Sequence, residues 1–201
     1  EGDSLRTVGA ASRAIVSFDD GSALRLDANS EVELTTLTVE RIVVRHIDGY
    51  TYNRVVDSDS RVYLVESKDA QYEALGTAFK TASSGDEQAV EVFQSTVHET
   101  ILNEKPTEGE KLTVKNNVDP TKDGTIEKLD IEEVKADAFI QWNIEQDEKD
   151  ENFKDKLGFL SDTEAPDISI TSHSDGETVL LDASASQGTI EFSGTTEPRA
   201  N

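Results

Sequence analysis

The sequence contains no cysteine and no methionine, and it has only three histidines and one tryptophan. Without cysteine, the redox compartment cannot be inferred from disulfides, although such a chain is compatible with an extracytoplasmic location. Because methionine is absent, Glu1 is not a translation start, and we expect the chain to be a piece of a longer protein. No run approaches the roughly 20 apolar residues of a membrane span, so any signal peptide or anchor would lie upstream.

Positive charge is also scarce, since the chain has 19 basic residues and 42 acidic ones, which gives a net charge of −23. Such a field repels the phosphates of nucleic acids and anionic lipid headgroups, which excludes nucleic acid as a partner. The usual role of such acidity is to keep a protein soluble. A more specific alternative is that it attracts cations or a metal ion. The hydrophobic fraction of 35% is enough for a core if the chain is mainly half-buried sheet.

The sequence offers no set of residues that predicts catalysis. His46, His98 and His173 lie in or beside strand patterns, and none has an orienting partner nearby in the sequence. No nucleophile elbow and no glycine-rich phosphate loop appears. Carboxylates are abundant, but nothing singles out a pair of the kind that hydrolases use. We therefore expect the protein not to be an enzyme.

Alternation of apolar and polar residues dominates the first hundred or so positions. In residues 13–34, Asp20-Gly21 predicts a type I′ hairpin and Asn29-Ser30 a second corner, so we expect a three-stranded antiparallel meander. Asp48-Gly49 predicts another turn, and Lys111 to Lys115 an edge strand with outward lysines. Turns at short, regular intervals indicate an all-β fold, mainly an antiparallel sandwich or a twisted solenoid-like stack of short strands.

The periodicity changes to a helical one near Asp130. Asp130 is predicted to be a helix N-cap, with Glu133 completing a capping box and Leu129 packing against Val134. Apolar residues then recur in the helical segment, and we expect three of them to dock it on the β domain: Phe139, Trp142 and Ile144. The alternative is that these residues form an exposed face that binds a partner.

Residues 119–130 have the spacing of a calcium-binding loop. Oxygen ligands fall at loop positions 1, 3, 5, 7 and 12, with glycine at position 6; the residues are Asp119, Thr121, Asp123, Thr125 and Asp130. Calcium is therefore the one cofactor candidate. The competing interpretation is an acidic connection between a strand and a helix, in which Asp130 only caps the helix.

Three segments together resemble the FecR-type domain, which is named for the regulator of ferric citrate uptake. They are residues 6–14, residues 18–32 and the Gly-Thr-x-Phe segment, and the motif residues are Asp20, Gly21, Gly76, Thr77 and Phe79. The resemblance covers roughly residues 2–117. In the regulator that gives the family its name, a periplasmic domain senses an outer-membrane transporter and passes the signal to an anti-sigma segment, whereas many relatives carry the domain in other envelope proteins. The resemblance therefore implies the domain type and not the iron-signalling role. Two departures are Gln94-Ser95 in place of a Glu-Gly turn and the absence of an anti-sigma or membrane-spanning segment.

The tail from Asp167 resembles the opening of a bacterial Ig-like domain, because a Ser-Asp-Gly turn is followed by a Ser-Gly-Thr-Thr-Glu-Pro step. Three strands are too few to close such a domain. We therefore expect a FecR-type β domain over residues 1–118, an acidic loop and helical segment over 119–160, and a linker with the start of an Ig-like domain over 161–201.

These expectations lead to three functional hypotheses. The first is a non-catalytic, extracytoplasmic domain of a bacterial envelope or surface protein that senses or signals through protein contacts at sheet edges and loops. The second is a structural stalk or adhesin segment. The third is a calcium-dependent binding module. The first hypothesis requires a protein partner in the envelope, the second only holds distance, and the third binds a carbohydrate or a protein. Nucleic acid is excluded, and a membrane is reached only through an anchor outside this chain.

Overall fold

The structure, a computed structural model, describes residues 2–58, 60–85, 87–115, 123–153, 169–170 and 194–195. The chain divides into two compact units, Glu1–Leu160 and Ser161–Asn201. In the second unit, the described residues form one antiparallel pair, β13 (Ser169–Ile170) with β14 (Gly194–Thr195). Most of the predicted Ig-like segment therefore lies outside the described residues.

The described part of the first unit contains twelve strands followed by two short helices, which confirms the predicted all-β class. The strands are β1 (Asp3–Arg6), β2 (Ala14–Ser17), β3 (Ala23–Leu26), β4 (Glu31–Leu37), β5 (Arg41–Arg54), β6 (Val62–Glu66), β7 (Gln71–Ala74), β8 (Ala78–Ser84), β9 (Glu87–Gln94), β10 (Val97–Glu99), β11 (Glu110–Lys115) and β12 (Asp123–Lys128). The helices are α1 (Ile131–Ala136) and α2 (Ala138–Asp147).

The strands form two sheets that share β5. In the first sheet the order is β1-β4-β5-β6-β7-β10, and only the β5–β6 pair is parallel. In the second sheet the order is β2-β3-β5-β8-β9-β11-β12, and every pair is antiparallel. Apolar side chains from both sheets, among them Leu24, Ile42 and Phe79, form one buried core between them.

The 14-residue strand β5 runs through both sheets without a turn, so the turn predicted at Asp48-Gly49 is wrong. Its first half pairs with β4 and β6, and its second half pairs with β3 and β8. Gly49 has a φ of +85°, and a Cβ on it would lie 2.4 Å from Ser30 Oγ. The glycine therefore allows a close approach between β5 and Ser30, just before β4, rather than a reversal of the chain.

The predicted meander is only half correct. β2 and β3 form a hairpin around Asp20-Gly21, but β3 then pairs with β5, and β4 pairs with β1 and β5. Of the two central residues only Gly21 has a positive φ, and the Gly21 amide donates to the Phe18 carbonyl at 3.1 Å. The loop is therefore a type I turn followed by a left-handed glycine, not type I′.

The β12 strand was not predicted, and it changes the place of β11. β11 lies between β9 and β12, so the prediction that it is an edge strand is wrong. β12 instead ends this sheet in the part of the chain that the structure describes. Its existence could not be read from the sequence because Gly124 and the charged residues around it make a poor strand pattern.

The two helices begin where aspartates cap them. The Asp130 carboxylate accepts from the amides of Glu132 and Glu133, and the Asp137 carboxylate accepts from those of Phe139 and Ile140. Leu129 packs against the cluster that contains Val134, as the predicted staple requires. Within the described residues, neither helix has the length or apolar character to cross a membrane.

Candidate functional site

The helices pack on the outer face of the second sheet through a small apolar cluster. Phe139 and Ile140 are buried there with Tyr52, Ala78 and Phe93. Trp142 and Ile144 are half-buried at its margin, and the Trp142 ring stacks on Phe139 with centroids 6.0 Å apart. The structure therefore places the three predicted docking residues against the β domain.

A buried ion cluster fixes the far end of α2. Asp147 Oδ1 lies 2.6 Å from Arg25 Nη1, and its Oδ2 lies 3.1 Å from Arg54 Nε. The Tyr52 hydroxyl donates to the same carboxylate at 3.2 Å. Burial and the neighbouring Asp147 raise the pKa of Tyr52, so the phenol keeps its proton and acts as a donor.

The same two arginines bind the chain on both sides of Asp147. Arg25 donates to the Asn143 carbonyl at 3.2 Å, and Arg54 donates to the Gln94 amide oxygen. Arg54 also donates to the Phe153 carbonyl at 3.4 Å and lies over the Phe153 ring at 4.6 Å. One carboxylate thus holds two guanidinium groups and ties the helix to two strands of the sheet, β3 and β5.

A cleft of about 340 Å³ lies between α1 and the part of the second sheet that the helices leave uncovered. Five carboxylates and three ammonium groups line it: Glu91, Glu127, Asp130, Glu133, Asp137, Lys80, Lys111 and Lys128. Several of these residues belong to a row of paired positions across six strands, Arg25, Tyr52, Lys80, Glu91, Lys111 and Glu127.

Lys80 forms the floor of this cleft. Its Nζ lies 2.8 Å from Glu91 Oε2 and 3.0 Å from Asp137 Oδ2, and the side chain is largely buried. Burial disfavours the ammonium, yet the two carboxylates outweigh it and raise the pKa of Lys80. Burial likewise opposes the charged form of Asp137, but Lys80 and the two capped amides hold the pKa of that carboxyl below its usual value.

At the mouth of the cleft, Lys128 is bound to Glu110 at 2.9 Å. The amide and hydroxyl of Thr107 donate to Glu110 Oε2, both at 2.9 Å. The Thr107 amide, followed by Lys128 and the Thr107 hydroxyl, lowers the pKa of Glu110 to about 2. The lysines at the floor and mouth are thus neutralised by carboxylates of the protein itself, which leaves the cleft with an excess of negative charge.

Comparison with known proteins agrees with the resemblance seen in the sequence. Residues 3–98 match the family described as FecR protein. Two crystal structures of a proposed anti-sigma factor from Parabacteroides distasonis ATCC 8503 are similar in fold, both with a TM-score of 0.56, at 18% and 19% sequence identity. Each likeness covers 67% of this chain and 63% of the other, so the chain spans less than two thirds of those proteins. No curated protein matches the chain.

The FecR-type motif residues shape the β domain, and Gly21 and Gly76 both lie against the segment that follows β5, at Val56 and Asp57. Asp20 Oδ1 accepts from the Ser22 amide at 2.8 Å. Gly76 has a φ of +63°, and a Cβ on it would lie 2.8 Å from Asp57 Cβ. The Thr77 carbonyl accepts from the Val55 amide at 2.9 Å, and Phe79 is in the core. These residues, with Gly21, define turns and packing within the FecR-type region.

The calcium-loop prediction falls largely outside the described residues. Asp119 and Thr121 belong to the segment that is not described, and Asp123 is described only as the first residue of β12. Thr125 pairs with Thr113 inside the β11–β12 hairpin, and Asp130 caps α1. In the described ranges no three acidic or imidazole side chains form a group that could hold a metal ion. A calcium site stays a prediction.

A second cleft, of about 400 Å³, lies where β5 passes from one sheet to the other, and His46 is in its wall. His46 Nε2 lies 3.2 Å from the Asp48 carbonyl, so it donates, and Nδ1 therefore accepts from the Thr81 hydroxyl at 2.9 Å. Burial lowers the pKa of His46 to about 4. Both ring nitrogens are used inside the fold, which leaves the imidazole without a group to offer a ligand.

Four charged residues that position α2 and the first cleft carry no recognisable signal in the sequence: Arg25, Arg54, Lys80 and Asp147. In a strand pattern Arg25 lies on the polar face between Leu24 and Leu26, which predicts exposure to solvent. That face is instead covered by helices that arrive more than 100 residues later in the chain. The apolar residues of the helical segment predict that it packs on some surface. They do not indicate that this surface is the polar face of the strand that contains Arg25.

Proposed function

We propose that this chain is a non-catalytic, extracytoplasmic module of a bacterial envelope or surface protein, and that it senses or signals through contacts with another protein. The match of residues 3–98 to the FecR family carries this proposal. The family resemblance implies a regulatory domain outside the cytoplasm that acts by protein contact. The fold shared with a proposed anti-sigma factor is consistent with that class.

The geometry favours binding over catalysis. Two sets of buried polar groups, Arg25 with Asp147 and His46 with Thr81, are bound to one another and join sheet to helix or strand to strand. The cleft beside α1 is open and acidic, and it is lined by charges on strands and on a capped helix. A charged surface of this kind suits recognition of a protein of opposite charge.

The location can be tested with a single introduced cysteine, because the chain has none of its own. We choose Glu132→Cys, an exposed position on α1, within the full-length gene product. An impermeant maleimide should label this variant in cells whose inner membrane is intact. Labelling that appears only after lysis would contradict an extracytoplasmic location.

Protein contact can be tested in the same cells with a photo-cross-linking residue. Placed at Lys128, beside the cleft, it should capture a discrete partner; placed at Arg41, on the outer face of the first sheet, it serves as the matched control. Both side chains are exposed. Equal, diffuse capture at both positions, together with an unchanged transcript profile after deletion of the gene, would contradict a sensing role.

A further inference from the structure

Strand β12 is the longest open edge among the described residues. At the other ends of the two sheets, β1 and β2 have four residues each and β10 has three, against six in β12. The chain also folds back along β10, because the Val97 amide donates to the Pro106 carbonyl at 3.1 Å and the Glu99 amide to the Glu104 carbonyl at 2.8 Å. Long open edges are templates for pairing with another strand.

The hydrogen-bonding pattern between β12 and β11 shows which backbone groups of β12 face outward. The Leu129 amide donates to the Gly109 carbonyl at 2.9 Å, so odd-numbered residues of β12 bond to β11. In an antiparallel ladder the alternate residues then direct their amide and carbonyl groups to the free side. Those residues are Gly124, Ile126 and Lys128, and all three are exposed.

Side chains around this edge differ in character on the two faces of the sheet. Glu127 lines the cleft on the outer face, together with Glu133 of α1 and its N-cap Asp130. On the inner face Ile126 lies opposite Leu112, a core residue, and remains 39% exposed. An added strand would therefore present alternate residues to an acidic cleft and to an apolar margin.

We propose that β12 receives an extended segment of a partner protein as an additional strand, in which basic residues alternate with apolar ones. The main-chain groups of Ile126 and Lys128 supply hydrogen bonds, and the basic side chains lie over Glu127 and Glu133. The proposal rests on the proposed protein-binding function and names the surface and the chemistry of the partner. A second copy of this chain is disfavoured, because two chains of net charge −23 repel each other.

The test uses the whole chain and a fluorescent peptide of about eight residues in which lysine alternates with valine. The matched peptide carries glutamate in place of lysine. We expect the lysine peptide to bind, with an affinity that falls as salt is added, and the glutamate peptide to bind more weakly by roughly tenfold or more. Equal binding of the two peptides would overturn the proposed partner chemistry.

Two substitutions at Ile126 separate strand addition from loose contact. Ile126→Pro removes the amide hydrogen that faces the free side and leaves the bonds to β11 in place. Ile126→Thr removes the apolar side chain but keeps that donor. Ile126→Pro should weaken peptide binding by roughly tenfold, and Ile126→Thr by at most roughly threefold. If a folded Ile126→Pro chain, checked by circular dichroism, binds like the parent, strand addition is wrong.

Further measurements distinguish self-association at β12 from failure of the proposed protein-binding function. Sedimentation that shows a dimer, lost in Ile126→Pro, would mean that a second copy occupies the edge and would overturn the proposal. In cells, partner capture that persists in Ile126→Pro would reject β12 as the surface while preserving the sensing function. No capture by the parent chain from any exposed position would instead reject the protein-binding function itself.

Discussion

At the scale of single residues, the Asp147 carboxylate forms ion pairs with two buried arginines. It neutralises Arg25 and Arg54 in a site where all three side chains are almost fully buried. Removing one partner of a buried ion pair is costly because the remaining charge keeps its desolvation penalty. Here one removal leaves two guanidinium groups without their counter-ion.

We therefore expect Asp147→Asn to lower the free energy of unfolding by about 3–5 kcal/mol. Glu145→Gln is the matched control, because it removes the same charge from an exposed position on the same helix and should change stability by less than about 0.5 kcal/mol. Urea denaturation followed by tryptophan fluorescence measures both. Equal losses in the two variants would contradict the structural role assigned to Asp147.

His46 predicts how stability depends on pH. The unfolded imidazole takes a proton near pH 6.5, whereas burial delays protonation in the folded chain to about pH 4. The unfolded state therefore binds more protons between these values, so stability from this group is complete above pH 6.5 and is lost as the pH falls to 4. The loss amounts to about 3 kcal/mol.

Chemical denaturation at pH 7, 5.5 and 4 checks this prediction. Carboxylates also titrate in this range, so the informative quantity is the difference between the parent and His46→Asn, whose amide oxygen can still accept from Thr81. His98→Asn, a substitution at a surface histidine, controls for loss of an imidazole. The stability difference between the parent and His46→Asn should shrink as the pH falls; a constant difference would contradict the assignment.

At the scale of elements, similar dipeptides in the sequence lead to different structures. Asp20-Gly21 does turn the chain, because two short strands with a shared apolar face adjoin it. Asp48-Gly49 lies inside β5, where Gly49 lets the strand approach Ser30. Local signals of this type specify the backbone conformation a glycine permits, but the pairing of each strand depends on partners elsewhere in the chain.

The close approach at Gly49 can be tested by adding one methyl group. Gly49→Ala places a Cβ 2.4 Å from Ser30 Oγ and 2.7 Å from Ser30 Cα, whereas a Cβ at Gly85 meets nothing within 4 Å. Both glycines have positive φ, so both variants bear a left-handed cost of about 1–2 kcal/mol. Only Gly49→Ala should add the overlap, about 1–3 kcal/mol more.

Thermal and urea unfolding of the two variants measure that difference. The comparison separates steric overlap from the cost of a positive φ, because φ is +85° at Gly49 and +56° at Gly85 and each variant gains one methyl group. Gly85 lies in the turn that follows β8, and its variant should remain near the stability expected from φ alone. If the two alanine variants are equally stable, β5 is free to move away from Ser30 at little cost.

The helical elements were more predictable than the strands that receive them. Asp130 caps α1 as its sequence indicates, because capping depends on residues only two or three positions away. β12 was missed, since its strand state depends on the register with β11 and not on its own propensity. The candidate cleft combines both elements, so the sequence predicted one wall of it and not the other.

At the scale of the whole molecule, the region that matches the FecR family is shorter than the compact unit that contains it. The FecR-type match ends at residue 98, but β9 pairs with β11 and the outer face of the second sheet is covered by α1 and α2. A chain that ended after β11 would expose Tyr52 and Phe93 and would leave Arg25 and Arg54 without Asp147. The matched region is therefore only part of the compact unit Glu1–Leu160.

We predict that a chain ending at residue 115 fails to unfold cooperatively, while a chain ending at Leu160 retains the transition of the full chain. The first truncation exposes a buried apolar cluster and leaves two buried cations without a counter-ion. We expect the combined free-energy cost to exceed the stability of a domain of this size, which is about 5–15 kcal/mol. The second ends at the limit of the first compact unit. Calorimetry and size-exclusion chromatography measure both. A sharp transition in the shorter chain, at the temperature of the parent, would mean that the helices and β12 rest on a β domain that is stable without them.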